Sequence, residues 1–90
     1  MIHELKILPE YYRAVVERRK TFEVRKNDRN FTVGDRVRLC EYDPDYICKY
    51  TGRVWYGRIT YILDDPLFCK EGFVIMSIEE IFHYKTDVRL

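Results

Sequence analysis

Cysteine and histidine are scarce in this sequence, and the few that occur are poorly spaced for a shared site. The three cysteines, Cys40, Cys48 and Cys69, are odd in number and far apart, so they do not form a disulfide framework. No Cys-x-x-Cys pair occurs, and the two histidines, His3 and His83, lie far from any cysteine along the chain. We therefore predict a protein with no metal site and no cofactor.

Long apolar runs and an excess of one charge are missing as well. No stretch approaches the roughly 20 residues that a membrane-spanning helix needs, and the N-terminus carries no apolar signal segment. We therefore expect no membrane partner and a location in the reducing cytoplasm. The formal net charge of +1 gives no global reason to expect a nucleic-acid partner.

The charge is nevertheless distributed unevenly. Residues 13–38 hold nine lysines and arginines against four acids, a net of +5, whereas residues 39–90 hold six against nine, a net of −3. A local basic field can attract phosphates even when the whole chain is near neutral. The same pattern fits a solvated helix face followed by a charged hairpin. The aromatic content of 16% also fits two interpretations, because aromatic rings can fill a small core or can stack on nucleic-acid bases.

The spacing of apolar residues predicts one helix among several strands. Residues 2–7 alternate as a strand does, and residues 9–19 have the period of a three-turn helix that Pro9 begins. The remaining chain predicts strands at residues 20–25, 36–42, 53–63 and 73–78, a helical turn at 67–71 and a final short strand through Ile81 and Phe82.

The faces of the later strands follow from the same alternation. Strand 36–42 places Val37, Leu39 and Glu41 on one face, and strand 53–63 places Trp55, Ile59, Tyr61 and Leu63 together. Gly57, within the second set, indicates a bend or a bulge of the kind that barrels need. Residues 1–90 are thus expected to form a single α+β domain, mainly β, in which a small barrel has one N-terminal helix at an end.

Residues 20–25 carry the most distinctive pattern. Phe22 and Val24 fall on one face of the predicted strand, and Thr21, Glu23 and Arg25 fall on the other, which we expect to face solvent. A hydroxyl, a carboxylate and a guanidinium in a row beside a helix end suggest a ligand site. A plain surface strand with an internal Glu–Arg pair would look the same, because exposed strand faces are normally polar.

The motif Lys-Thr-x-Glu-x-Arg at residues 20–25, followed by Gly34-Asp35 before the next strand, resembles the ASCH domains of the PUA-like superfamily. The similarity covers residues 2 to about 78 and looks nearest to a prokaryotic and phage subfamily of unassigned function. It implies a pseudobarrel of about five to six strands, with a cleft beside the first helix where RNA is proposed to bind.

One branch of ASCH domains consists of small amidohydrolases that deacetylate acetylated cytidine, and it implies a catalytic Lys, a Thr three residues later and a distant Glu. Lys20 matches the Lys, but Glu23 stands where that Thr is expected. If the protein is an enzyme, Lys20, Glu23 and Glu71 would be its catalytic set.

The leading prediction is therefore a non-catalytic module that binds RNA or a nucleotide. Lys20 and Arg25 suit phosphate, Glu23 can accept from a base amino group, and Thr21 can donate to a phosphate or sugar. The hydrolase is the alternative, and a protein-interaction domain using loop 43–52 is a third reading, with no partner identified. The predicted ligand-binding residues are Lys20, Thr21, Glu23, Arg25, Lys26, Arg29, Arg36, Arg38 and Tyr46.

Overall fold

The structure is a computed structural model that describes residues 1–81. Five strands form a single sheet, curled into a half-barrel, in the order β1-β3-β4-β5-β2, so β1 and β2 are its two edges. The strand β1 runs parallel to β3, and every other neighbouring pair is antiparallel. The mainly β fold with one N-terminal helix is confirmed. In chain order the elements are β1 (Ile2–Ile7), α1 (Pro9–Val16), β2 (Phe22–Lys26), β3 (Arg36–Tyr42), β4 (Tyr50–Leu63) and β5 (Phe73–Glu80).

The helix is shorter than its apolar period predicts, because the chain turns sharply at Arg18. Arg18 adopts a left-handed backbone conformation with φ of 64°. The N–H groups of Arg19 and Lys20 then both donate to the carbonyl of Ala14, at 2.9 and 3.0 Å, which satisfies a helix-end acceptor. A left-handed residue at a helix end is usually glycine, so nothing in the sequence signalled this ending. The turn delivers Lys20 directly beside the helix.

The core lies in the concave side of the sheet and under α1. Leu39, Ile59 and Met76 have no exposed surface, and Val15 is the buried residue of the helix. The residues predicted to share one face of β3 do so, and that face, including the carboxyl residue Glu41, is buried. Residues 67–71, predicted as a helical turn, follow a turn in which Asp65 accepts hydrogen bonds from the backbone N–H groups of the next residues. Phe82 of the predicted final strand lies outside the described residues.

The predicted face of β4 is wrong beyond Ile59. The pairing of β4 with β5 shifts between Ile59 and Tyr61, which inserts a bulge and changes the alternation. Tyr61 is consequently 62% exposed, and Ile62 packs on the core instead. Gly57 does not mark this bulge. A Cβ atom there would lie only 2.2 Å from Cζ3 of Trp55, so glycine leaves room for the indole ring.

Two arginines connect the open edges of the half-barrel. Arg25 in β2 donates through Nη2 to the carbonyl of Lys6 in β1 at 2.8 Å, and Arg29 donates through Nη1 to the carbonyl of Glu4 at 2.9 Å. These bonds replace the backbone ladder that a closed barrel would have between β1 and β2. They also hold β1 close to the C-terminal end of β2 and to the loop that follows it.

A buried histidine anchors the start of β1. His3 is 4% exposed, its Nε2 lies 2.8 Å from Oδ2 of Asp35, and the edge of its ring packs on Phe31 with centroids 4.7 Å apart. The backbone N–H of Thr32 donates to the same carboxylate oxygen at 3.1 Å. The hydrogen bond from His3 lowers the pKa of Asp35 from its usual 3.8, and the Thr32 N–H and the N-terminal ammonium act in the same direction.

We expect Asp35→Asn to destabilise the protein by about 1.5–3 kcal/mol near neutral pH, the range for hydrogen bonds to charged groups. Because folding lowers the pKa of Asp35, its contribution is present above pH 3.8 and is lost as the pH falls through the lower folded value. Urea unfolding at a series of pH values should therefore show a shallower acid decline in the variant. Asp64→Asn, at an exposed position, is the control. Parallel curves for Asp35→Asn and the wild type would contradict this account.

Candidate functional site

An open cleft lies beside α1, between the end of β1 and strand β2. Its volume is about 640 Å³, within the range of small-molecule sites. The turn at Arg18 and the arginine links across the sheet edges bring its walls together. Residues lining it include Leu8 and Tyr11 from the helix side, and Lys20, Phe22, Glu23 and Arg25 from the strand side.

A buried carboxylate forms the centre of the polar wall. The side chain of Glu23 is 5% exposed and holds two cations, with Lys20 on Oε1 and Arg25 on Oε2. The Nε and Nη2 atoms of Arg25 both donate to Oε2, at 3.0 and 2.7 Å. Because both carboxylate oxygens hold cations, Glu23 orients Lys20 and Arg25.

The ammonium of Lys20 is fixed in position and still has capacity for a ligand. It donates to Glu23 and, at 2.6 Å, to the carbonyl of Phe22. An ammonium has three N–H donors, so one is left without a partner among residues 1–81. The Lys20 side chain is 17% exposed, and Nζ lies 5.9 Å from the ring centroid of Tyr11 and 5.0 Å from that of Phe22. The third donor of the Lys20 ammonium therefore lies close to the aromatic rings of Tyr11 and Phe22.

The predicted orientation of β2 is wrong. Phe22 and Val24 are 44% and 51% exposed, whereas Glu23 is buried. Apolar residues normally turn inward on a half-buried strand. In β2 the buried residue is Glu23, because Lys20 and Arg25 compensate its charge. The apolar residues Phe22 and Val24 line the cleft instead.

The cleft brings together three of the predicted ligand-binding residues: Lys20, Glu23 and Arg25. Thr21 faces a separate depression with Val15 and Trp55. The others lie outside the cleft lining. Lys26 is at the far end of β2, and Arg29 follows β2 and donates to a carbonyl of β1. Arg36 and Arg38 are on the sheet face opposite the core, and Tyr46 is in the loop before β4.

Glu71, the third residue of the predicted catalytic set, lies far from Lys20. It precedes β5, whose first residue, Phe73, pairs with Lys26 at the end of β2. Lys20 precedes the other end of the same strand, about 20 Å away at the rise of a strand. The two residues therefore cannot act on one small substrate in this structure.

Sequence reasoning missed the aromatic side of the cleft. Tyr11 is 46% exposed on α1, next to Tyr12, which packs on the core. Tyr11 and Tyr12 are adjacent on a helix, so a period that packs Tyr12 on the core turns Tyr11 away from it, and this was the available signal. Arg19 also lines the cleft, but it is paired with Glu17 at 2.7 Å.

A second buried carboxylate lies at the end of β3. Glu41 is 5% exposed and accepts from the hydroxyl of Thr51 at 2.6 Å and from Nη1 of Arg53 at 3.2 Å. Burial raises the pKa of Tyr12, and the negative charge of Glu41 raises it further. This cluster has internal partners and ties the loop end of β4 to β3.

Two kinds of feature are absent from residues 1–81. In that part of the chain no group of three or more histidine, cysteine, aspartate and glutamate side chains is arranged to hold a metal ion. Nor does that region contain a helix with the length and apolar character to cross a membrane. The candidate site is the cleft with its Lys20–Glu23–Arg25 network.

Comparison with known proteins places the whole fold in one family. The model of a "Domain of unknown function (DUF3850)" matches residues 2–78. An uncharacterized 12.9 kDa protein in the GpA 3′ region of Escherichia phage P2 is 40% identical over 63 residues, which are 70% of this chain and 55% of that protein. The chain thus spans about half the length of this relative. The match to β1 through β5 shows that the chain belongs to the DUF3850 family.

Proposed function

We propose that this protein is a non-catalytic module that binds RNA or a nucleotide in the cleft beside α1, as in the ASCH domains that its motif resembles, and that it works in the cytoplasm. The observation that carries the proposal is the ammonium of Lys20, held by Glu23 and the Phe22 carbonyl with one donor left in an open cleft. A preset donor of this kind spares a ligand the cost of ordering a flexible lysine.

The charge of the network favours an anionic group. Two cations, Lys20 and Arg25, surround one carboxylate, Glu23, which leaves a net charge of +1. These three side chains are between 5% and 23% exposed, so solvent screens that charge less than it would at an open surface. A phosphate oxygen is a suitable acceptor for the remaining donor of Lys20.

The alternative, a hydrolase acting on a modified nucleoside such as acetylated cytidine, finds less support. Glu23 is occupied by two cations, and Thr21 and Glu71 lie outside the cleft lining. No serine or threonine hydroxyl is therefore among the residues that line the cleft with Lys20. Release of acetate from acetylated cytidine, followed by chromatography, would overturn the non-catalytic part of the proposal.

We expect Lys20→Gln to weaken binding of a short single-stranded RNA about tenfold or more at low salt. A hydrogen bond to a charged group contributes about 1.5–3 kcal/mol, and glutamine keeps a donor for Glu23 while removing the ammonium. Fluorescence anisotropy with a labelled RNA measures the change.

Lys26→Gln is the matched control, because Lys26 is an exposed lysine at the end of β2 that does not line the cleft. It should weaken binding less than Lys20→Gln does. Equal losses in the two variants would indicate a diffuse basic surface rather than a cleft, and undetectable binding by the wild type would refute the proposed function.

A further inference from the structure

We propose that the cleft accepts one unpaired nucleotide of a single-stranded RNA, with the base against Tyr11 and Phe22 and its phosphodiester on Lys20. The proposal rests on the proposed function and specifies its ligand. It makes Tyr11 and Phe22 recognition residues.

The aromatic rings carry the first step. Tyr11 comes from α1 and Phe22 from β2, so they reach the cleft from different elements. Both are a little under half exposed, at 46% and 44%, and both lie within 6 Å of the same ammonium, at 5.9 and 5.0 Å. Exposed rings beside a cation provide a stacking surface that tolerates any base.

The charge of the site carries the second step. The network of Lys20, Arg25 and Glu23 has a net charge of +1, and the neighbouring Arg19 is already paired with Glu17. One phosphodiester brings one negative charge and matches this network. A nucleoside triphosphate brings several negative charges, more than are matched by this network together with Lys6, the one further lining cation that has no carboxylate partner among residues 1–81. The balance therefore favours an internal nucleotide of a chain over a free triphosphate.

The shape of the site carries the third step. The rings stand beside Leu8 and Val24 in an open cleft of about 640 Å³. A base inside a duplex has both faces covered by its neighbours, whereas a base in a loop or a single strand can be splayed out onto an aromatic side chain. The site therefore fits an unpaired nucleotide.

The test compares two labelled chains of equal length and charge, oligouridylate and an abasic ribose–phosphate chain. Titration by anisotropy at several salt concentrations should show that the wild type binds oligouridylate at least about fivefold more tightly, the lower limit for loss of one stacked base. Phe22→Leu should remove most of that preference and leave the affinity for the abasic chain unchanged. Lys20→Gln should weaken both chains and reduce the slope of log affinity against log salt by about 0.7.

Phe68→Leu is the matched control, because Phe68 is 70% exposed in the turn before β5 and does not line the cleft. It should leave both affinities unchanged, and thermal unfolding should show that Phe22→Leu is folded. Equal binding of the two chains by the wild type would overturn the stacking proposal while leaving anion binding intact. An equal loss for both chains in Phe22→Leu would overturn it too. If the wild type bound neither oligouridylate nor the abasic chain, the proposed function itself would be refuted.

Discussion

Replacing Glu23 with glutamine should destabilise the protein by about 3 kcal/mol, the lower part of the range for breaking a buried ion pair. The amide keeps the volume of the side chain but carries no charge. Lys20 and Arg25, whose side chains are 17% and 23% exposed, would then face each other without the carboxylate between them. Urea unfolding followed by circular dichroism measures the loss.

Glu71→Gln provides the matched control, since Glu71 is an exposed glutamate in the turn before β5. It should change the free energy of unfolding by no more than about 0.5 kcal/mol, as surface substitutions usually do. Combining Glu23→Gln with Lys20→Gln should cost less than the sum of the two single changes, because the second removes a cation that the first left uncompensated. Additive costs would show that Lys20 and Glu23 are not coupled in the folded protein. A Glu23→Gln protein as stable as the wild type would show that the network contributes little to folding.

Gly57→Ala is the second change with a large expected effect, a destabilisation of about 2–3 kcal/mol from overpacking. The new methyl group would lie 2.2 Å from Cζ3 of Trp55 and 2.9 Å from the carbonyl oxygen of Glu79, so the indole ring or the β4–β5 pairing has to move. Trp55 is the only tryptophan in the chain and is 7% exposed. Its emission should therefore shift to longer wavelength as the ring moves toward water.

The same change in a Trp55→Leu background separates the clash from other effects of the methyl group. Trp55→Leu is itself destabilising, because it leaves a cavity in the core. In that background Gly57→Ala should cost much less than it does in the wild type, as the ring atoms that it meets are gone. If the cost of Gly57→Ala were the same in both backgrounds, the backbone contact rather than the indole would explain it.

The alternation of residues predicted the fold well where both faces of a strand have ordinary surroundings. In β3 it placed Val37, Leu39 and Glu41 on one face, and the structure shows that these three residues share the buried face. It failed in β2, because alternation groups residues on a face without saying which face is buried. Which face of β2 is buried depends on Lys20 and Arg25, because these cations compensate the charge of Glu23 only after the helix and β1 have come together.

Local geometry explains the remaining differences. The bulge after Ile59 follows from how β4 pairs with β5, and that pairing is not encoded in the period of either strand. The left-handed turn at Arg18 places Lys20 beside Tyr11, although arginine is not a residue that signals such a turn. The motif therefore predicted the polar half of the cleft, whereas its aromatic half depends on tertiary structure.

The arginine links across the sheet edges also bear on solubility. A half-barrel has two free edges, and an exposed edge strand is a template for pairing with a strand of another molecule. Arg25 and Arg29 occupy the carbonyl groups of Lys6 and Glu4, which are acceptors that an incoming strand would otherwise use. One guanidinium, that of Arg25, thus both holds Glu23 at the cleft beside α1 and covers an acceptor of an edge strand. A substitution of Arg25 would consequently alter the cleft and uncover the edge of β1 at the same time.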